Sequence, residues 1–124
     1  MFKHLTVILA FLMTLSSPVV AQDFQKGFAA YNAGDYATAL QEWTPLAEAG
    51  DAPAQFHLGR MLYIRCIRVD CGNFKEAVKW YRLAAELGSA WAQATLGGMY
   101  ERGRGVPQDN AIAHMWYNIG AANG

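Results

Sequence analysis

The sequence predicts an all-α fold, a helical-repeat solenoid (an α/α superhelix) of about three helix-pair units. Three observations carry this. One closing pattern appears three times: Ala39-Leu-Gln-Glu-Trp-Thr-Pro-Leu-Ala-Glu-Ala-Gly50, Ala77-Val-Lys-Trp-Tyr-Arg-Leu-Ala-Ala-Glu-Leu-Gly88 and Ala113-His-Met-Trp-Tyr-Asn-Ile-Gly-Ala-Ala-Asn-Gly124. An opening pattern appears twice, Gln55-Phe-His-Leu-Gly59 and Gln93-Ala-Thr-Leu-Gly97, at an offset of 38 positions. No segment shows useful strand alternation, whereas apolar residues recur at spacings of three and four. A period between about 20 and 50 residues marks units that cannot bury their own apolar face and must stack on a neighbour.

The N-terminal segment stands apart from the repeat. Lys3 and His4 precede an apolar run, Leu5 to Leu15, and Ser16-Ser-Pro18 breaks it before Val19-Val-Ala21. That pattern predicts a signal peptide over residues 1–21, cleaved between Ala21 and Gln22. A retained anchor is disfavoured, because the run is shorter than the roughly 20 apolar residues that span a bilayer. The expected product, residues 22–124, fits one domain and is exported to the periplasm or secreted. The full chain carries ten basic and ten acidic residues and a formal charge of +0. No strong field exists to draw nucleic acid or a membrane surface.

The units are expected at about 22–50, 51–88 and 89–124. Phe24 to Ala33 opens the first unit. Gly34-Asp35 makes a turn in which glycine ends one helix and aspartate caps the next. Tyr36 to Ala49 follows, with Pro45 inside it expected to kink the helix. Gly50-Asp51 repeats the stop and cap, and Pro53 falls in a first helical turn, where its missing N–H costs nothing. The second unit carries Phe56, Leu58, Gly59, Leu62 and Tyr63 on one helix. Phe74, Ala77, Val78, Trp80, Tyr81, Ala84 and Ala85 lie on the next. Ser89 is the candidate cap of the third unit, which carries Trp91, Leu96-Gly97, Met99 and Tyr100. The loop Gly103-Arg-Gly-Val-Pro107 then leads to Asp109, a candidate cap for a helix bearing Ile112, Ala113, Trp116 and Tyr117. Gly59 and Gly97 inside helices each cost up to about 1 kcal/mol against alanine. A cost paid twice at one repeat position implies packing that admits no side chain. Trp43 aligns with Tyr81.

Cys66 and Cys71 are the two cysteines. An even pair in an exported chain favours a disulfide, here closing a small loop worth about 2 kcal/mol by chain entropy. Two reduced thiols are the alternative; a metal site lacks two further ligands at the usual spacing.

These residues resemble the Sel-1-like repeats, a branch of the tetratricopeptide-like helical repeats. The third unit carries the pattern in Ala94-Thr-Leu-Gly-Gly-Met-Tyr100, Gly103-Arg-Gly-Val106, Asp109, Ala113, Trp116-Tyr117 and Gly124. The second carries it in Ala54-Gln-Phe-His-Leu-Gly59, Tyr63, Ala77, Trp80-Tyr81, Ala84-Ala85 and Gly88. It departs where Cys66 to Cys71 replaces the glycine loop and adds two residues. The first unit, with Tyr31-Asn-Ala-Gly-Asp-Tyr36, is nearer a generic tetratricopeptide turn. The resemblance implies a protein–protein interaction module, an adaptor or scaffold without cofactor. It places the motif residues in packing rather than in a site.

Some cysteine-rich members of that family have been called β-lactamases, which makes a β-lactamase-like hydrolase the alternative function. Its chemistry is not found in residues 22–124. The one serine there, Ser89, is followed by Ala90-Trp91-Ala92, so neither Ser-x-x-Lys nor Lys-Thr-Gly occurs. His57 and His114 lie on different predicted helices and are read as partly buried packing residues. Gly103-Arg-Gly-Val-Pro lacks the lysine and the preceding strand of a phosphate loop and is read as a turn. The possible partner contacts are Arg60, Arg65 and Arg68, within a basic stretch that continues through Lys75, Lys79, Arg82, Arg102 and Arg104. A solvated rim balanced by Asp70, Glu76 and Glu86 is the favoured reading of that stretch. Trp91 is a further candidate contact, with core packing favoured. The partner is an unknown protein or peptide. The C-terminal unit has no polar terminal helix, which points to self-association or to an accessory subunit capping a larger assembly.

Overall fold

The computed structural model describes residues 23–124, and the expected signal segment with its cleavage point lies outside them. Six helices and no strand occur among the described residues: α1 (Phe24–Asn32), α2 (Tyr36–Glu48), α3 (Ala52–Val69), α4 (Lys75–Glu86), α5 (Ala90–Arg102) and α6 (Asn110–Asn123). They pack as the pairs α1–α2, α3–α4 and α5–α6, and α2 against α3 and α4 against α5 join the pairs in a row. This is the expected all-α solenoid.

One compact turn is used three times between helices. At Gly50 (φ 97°) and Gly88 (φ 94°) the backbone enters the left-handed region that glycine adopts without a Cβ clash. The next residue's N–H then reaches back to the helix end, Asp51 to Leu46 and Ser89 to Ala84, both at 3.0 Å. The same residue caps the next helix. The Asp51 carboxylate accepts from the Ala54 N–H at 3.0 Å and the Ser89 hydroxyl from Ala92 at 3.3 Å. Gly34-Asp35 repeats this, with Asp35 accepting from Thr38. Such caps contribute about 1 kcal/mol each. Ser89 therefore has a structural role as read from the sequence, and Asp109 caps α6 through the Ile112 N–H. The α2 helix runs on through Pro45, whose carbonyl still accepts from Ala49.

The helix glycines lie where facing helices touch. A Cβ on Gly97 would meet the Tyr117 ring at 2.9 Å and the Ala113 carbonyl oxygen at 3.1 Å. One on Gly59 would meet Tyr81 at 3.3 Å and the Ala77 carbonyl at 3.4 Å. The first pair has the same device: a Cβ on Gly27 would come within 2.5 Å of the Trp43 indole nitrogen. Trp43, Tyr81 and Tyr117 thus occupy equivalent places, each ring laid over a glycine. Two apolar clusters form the core. Ala39, Trp43, Ala47, Ala54, Leu58, Met61 and Trp80 make the first. Ala77, Val78, Tyr81, Ala84, Ala85, Ala92, Leu96 and Met99 make the second, with Trp116 half-buried against it.

Two expectations for the second unit are corrected. Cys66 is not in a loop: α3 continues to Val69, so Cys66 is buried in its last turns, 4.8 Å (Cα–Cα) from disulfide-bonded Cys71. Asp70, in the left-handed region at φ 48°, ends the helix. Phe74 caps α4 rather than lying within it. The Gly103–Pro107 segment is also more than a turn. A Cβ on Gly105 would collide with Phe74 and Val78 at 2.8 Å. Arg104 donates to the Tyr63 hydroxyl and sits 5.7 Å from the centroids of both the Tyr63 and Phe74 rings.

The repeated glutamines bind consecutive pairs together. Gln55 and Gln93 are buried, and each donates its side-chain amide at 3.0 Å to the carbonyl eight residues earlier, Ala47 and Ala85. The Gln93 oxygen also accepts from Asn123 at 3.0 Å, whereas the Gln55 oxygen is buried without a partner. Leu87 precedes Gly88 as Asn123 precedes Gly124, and Leu87 and Gln55 line one surface hollow. A Leu87→Asn variant should therefore supply the missing donor and raise stability by about 0.5–1.5 kcal/mol. Thermal melting measures this, and an unchanged or lower Tm would refute the equivalence of the two positions.

Candidate functional site

An open groove of about 780 Å³ runs across the first helices of the three pairs. The capped turn that starts α3 sets Ala52, Pro53, Phe56, His57 and Arg60 along its middle, Phe28 of α1 forms one side, and Leu87 to Trp91 the other. The turn at Gly88-Ser89 explains why Trp91 projects. The cap fixes the first turn of α5, where the buried face begins only at Ala92 and Gln93. Trp91 is 77 % exposed, against 58 % for Leu87 and 38 % for Phe28. Core packing, the favoured reading for Trp91, is overturned: its ring belongs to neither apolar cluster.

His57 forms the groove's aromatic middle. Its ring lies 5.1–5.6 Å, centroid to centroid, from Trp43, Phe56, Phe24 and Phe28. It packs half-buried, as read from the sequence. Burial among these rings, and then the Arg60 guanidinium, hold its pKa below the usual imidazole range. The neutral imidazole is an apolar surface with a polar edge, and Arg60 is the groove's one charged side chain. His114 is corrected: it is exposed on α6.

The four candidate contacts do not form one site. Arg60 and Trp91 share the groove. Arg65 and Arg68 line a separate pocket of about 390 Å³, with Tyr31, Tyr36, Leu40, Met61, Leu62, Ile64 and Val69. The wider basic stretch disperses. Lys79 lies 4.8 Å from the Trp80 ring centroid, Arg82 donates to the Tyr100 hydroxyl at 2.8 Å, and Arg104 is engaged at Tyr63. No group of His, Cys, Asp or Glu among the described residues could hold a metal ion. None of the described helices is long and apolar enough to cross a membrane.

Stacked helix pairs with glycine-cut helix contacts define an α-helical repeat protein, and an open aromatic groove crosses its first helices. The family model for the Sel1 repeat matches residues 52–89 and 92–124, and the chain belongs to that family. It is similar to the crystal structure of a Sel1 repeat protein from Oxalobacter formigenes, at 30 % identity and a TM-score of 0.69, over 81 % of this chain and 40 % of that one. It is also similar to c5321, described as a protective antigen present in uropathogenic Escherichia coli strains and displaying an SLR fold. There the identity is 33 % and the TM-score 0.70, over 82 % of this chain and 22 % of that one. The chain thus spans less than half the length of either structure. No curated protein matches it. The Sel1 fold is of the protein–protein interaction type, and its members are in general scaffolds rather than catalysts.

Proposed function

We propose that residues 22–124 form an exported protein- or peptide-binding scaffold of the cell envelope or secreted space, with the Phe28–His57–Arg60–Trp91 groove as its binding surface. The observation that carries this is Trp91, a large ring exposed in one groove with Leu87 and Phe28. A buried tryptophan anchors a fold, whereas an exposed one beside an arginine is a frequent hot spot of a protein interface. Export is supported by the Lys3–Ala21 pattern, by the Cys66–Cys71 bond, which suits an oxidising compartment, and by the antigen neighbour.

The test uses tagged full-length chain expressed in its own host, followed by cross-linking and mass spectrometry of the envelope fraction. Protein purified from that fraction should begin at Gln22. Trp91→Ala should leave the melting temperature unchanged, because exposed positions shift stability by under about 0.5 kcal/mol. It should weaken the captured partner by about 2 kcal/mol, close to thirtyfold. An intact Met1 on abundant cytoplasmic protein would refute export, and partners retained in full by Trp91→Ala would refute the groove.

A further inference from the structure

The geometry points to a second docking site, the pocket between α1–α2 and the end of α3, for a protein segment that presents an aliphatic or aromatic side chain flanked by carboxylates. The site is built by the feature that sets the second unit apart. At the repeat offset of 38, Ile64 is equivalent to Arg102, where α5 ends. The α3 helix runs on to Val69, five residues further. That extra length holds Arg65, Arg68 and Val69, which complete a pocket otherwise lined by Tyr31, Tyr36, Leu40, Met61, Leu62 and Ile64. The disulfide from Cys66, inside the helix, to Cys71, just beyond its end, together with the Cys71 N–H bond to the Cys66 carbonyl at 3.1 Å, ties down the helix end.

Charge and polarity name the occupant. The pocket has an apolar lining, no acidic residue and two exposed arginines. Neither arginine is in an ion pair or side-chain hydrogen bond among the described residues; Asp35, the carboxylate before Tyr36, is instead bonded to Thr38. A volume of about 390 Å³ falls within the roughly 300–1,000 Å³ of ligand pockets. Arginines three residues apart on one helix stand side by side and suit one or two carboxylates beside an apolar anchor. Two cations on a chain of formal charge +0 are too few to follow a nucleic-acid backbone or an anionic membrane. A protein segment is therefore the favoured class. This reading rests on the proposal that the chain binds protein, but on a different surface from the Trp91 groove.

The test is selection of displayed random dodecapeptides on purified oxidised chain, then fluorescence titration of the enriched peptides against variants. Peptides with Asp or Glu beside Leu, Ile, Phe or Trp should be enriched. Arg65→Glu/Arg68→Glu should weaken them by more than about tenfold, raised salt should weaken them, and the double lysine variant should keep part of the affinity. Cys66→Ser/Cys71→Ser, which frees the helix end, should weaken them as well. Trp91→Ala should leave them unchanged. Acidic peptides that need Trp91 and tolerate the arginine reversal would overturn this site while upholding the groove. Enrichment of neutral or basic peptides, or none, would overturn it. Binding to phosphatidylserine vesicles that the arginine reversal abolishes, with no peptide enriched, would also overturn it, in favour of a membrane surface.

Discussion

Trp43→Ala should lower stability by about 3–5 kcal/mol, the cost of deleting a fully buried large ring, and so leave the chain largely unfolded near physiological temperature. Trp43 has no exposed surface. Its ring packs at 5.1–5.9 Å from those of His57, Tyr31 and Phe24, and its indole N–H donates to the Phe24 carbonyl at 3.1 Å. Truncation removes the apolar contacts and opens a void beside Gly27. It also strands a backbone acceptor. Small domains hold only about 5–15 kcal/mol in all, so one such loss consumes much of the total. Urea unfolding with the disulfide intact measures it, with Trp91→Ala as the exposed-tryptophan reference. A loss below about 1 kcal/mol would mean that Trp43 is not a core residue.

Gly97→Leu should be more damaging than the same change at Gly59. Any Cβ there meets the Tyr117 ring at 2.9 Å and the Ala113 carbonyl at 3.1 Å. The ring is tethered, since the Tyr117 hydroxyl donates to Glu101 at 2.7 Å, and the carbonyl belongs to the α6 backbone. Overpacking of this kind costs about 1–3 kcal/mol, and a leucine forces α5 and α6 apart. Gly97→Ala makes the sign informative, because helix propensity alone would stabilise it by up to about 1 kcal/mol. The steric argument requires a net loss, and a smaller one at Gly59, where the nearest atoms stand at 3.3–3.4 Å. Circular dichroism melts of the two alanine variants and Gly97→Leu decide it. A raised Tm for Gly97→Ala would refute close packing at that position.

The fold was legible because glycine, aspartate and serine punctuate it at regular intervals and each has a local mechanism. Gly27 lies out of register because the connection after α1 is short, three residues from Ala33 to Asp35 against seven from Gly103 to Asp109. It stands 12 residues before Ala39, whereas Gly59 and Gly97 stand 18 and 16 before Ala77 and Ala113, so the repeat does not bring it into register. The length of α3 was hidden for a related reason. The repeat predicts a loop after Tyr63, and only the left-handed Asp70, a conformation uncommon outside glycine, ends the helix later. The site was half legible. Aromaticity alone does not distinguish an anchor in the core from one in solvent, yet the 38-residue offset aligns Trp91 with Pro53, a first-turn position outside the core. Helical periodicity likewise separates Arg60 from Arg65, since five residues turn about 140° around the axis.

Trp80 and Tyr81 are neighbours on α4, yet Trp80 belongs to the first apolar cluster and Tyr81 to the second. The α4 helix is thus a shared wall rather than the private half of one unit. Opening of either cluster strips one of its faces, so neither can loosen while the other keeps a complete set of contacts. The amides of α4 should therefore exchange with solvent only through global unfolding, while those of α1 and α6 report local fraying. Across residues 23–124 the repeat builds one cooperative unit, not three separable ones.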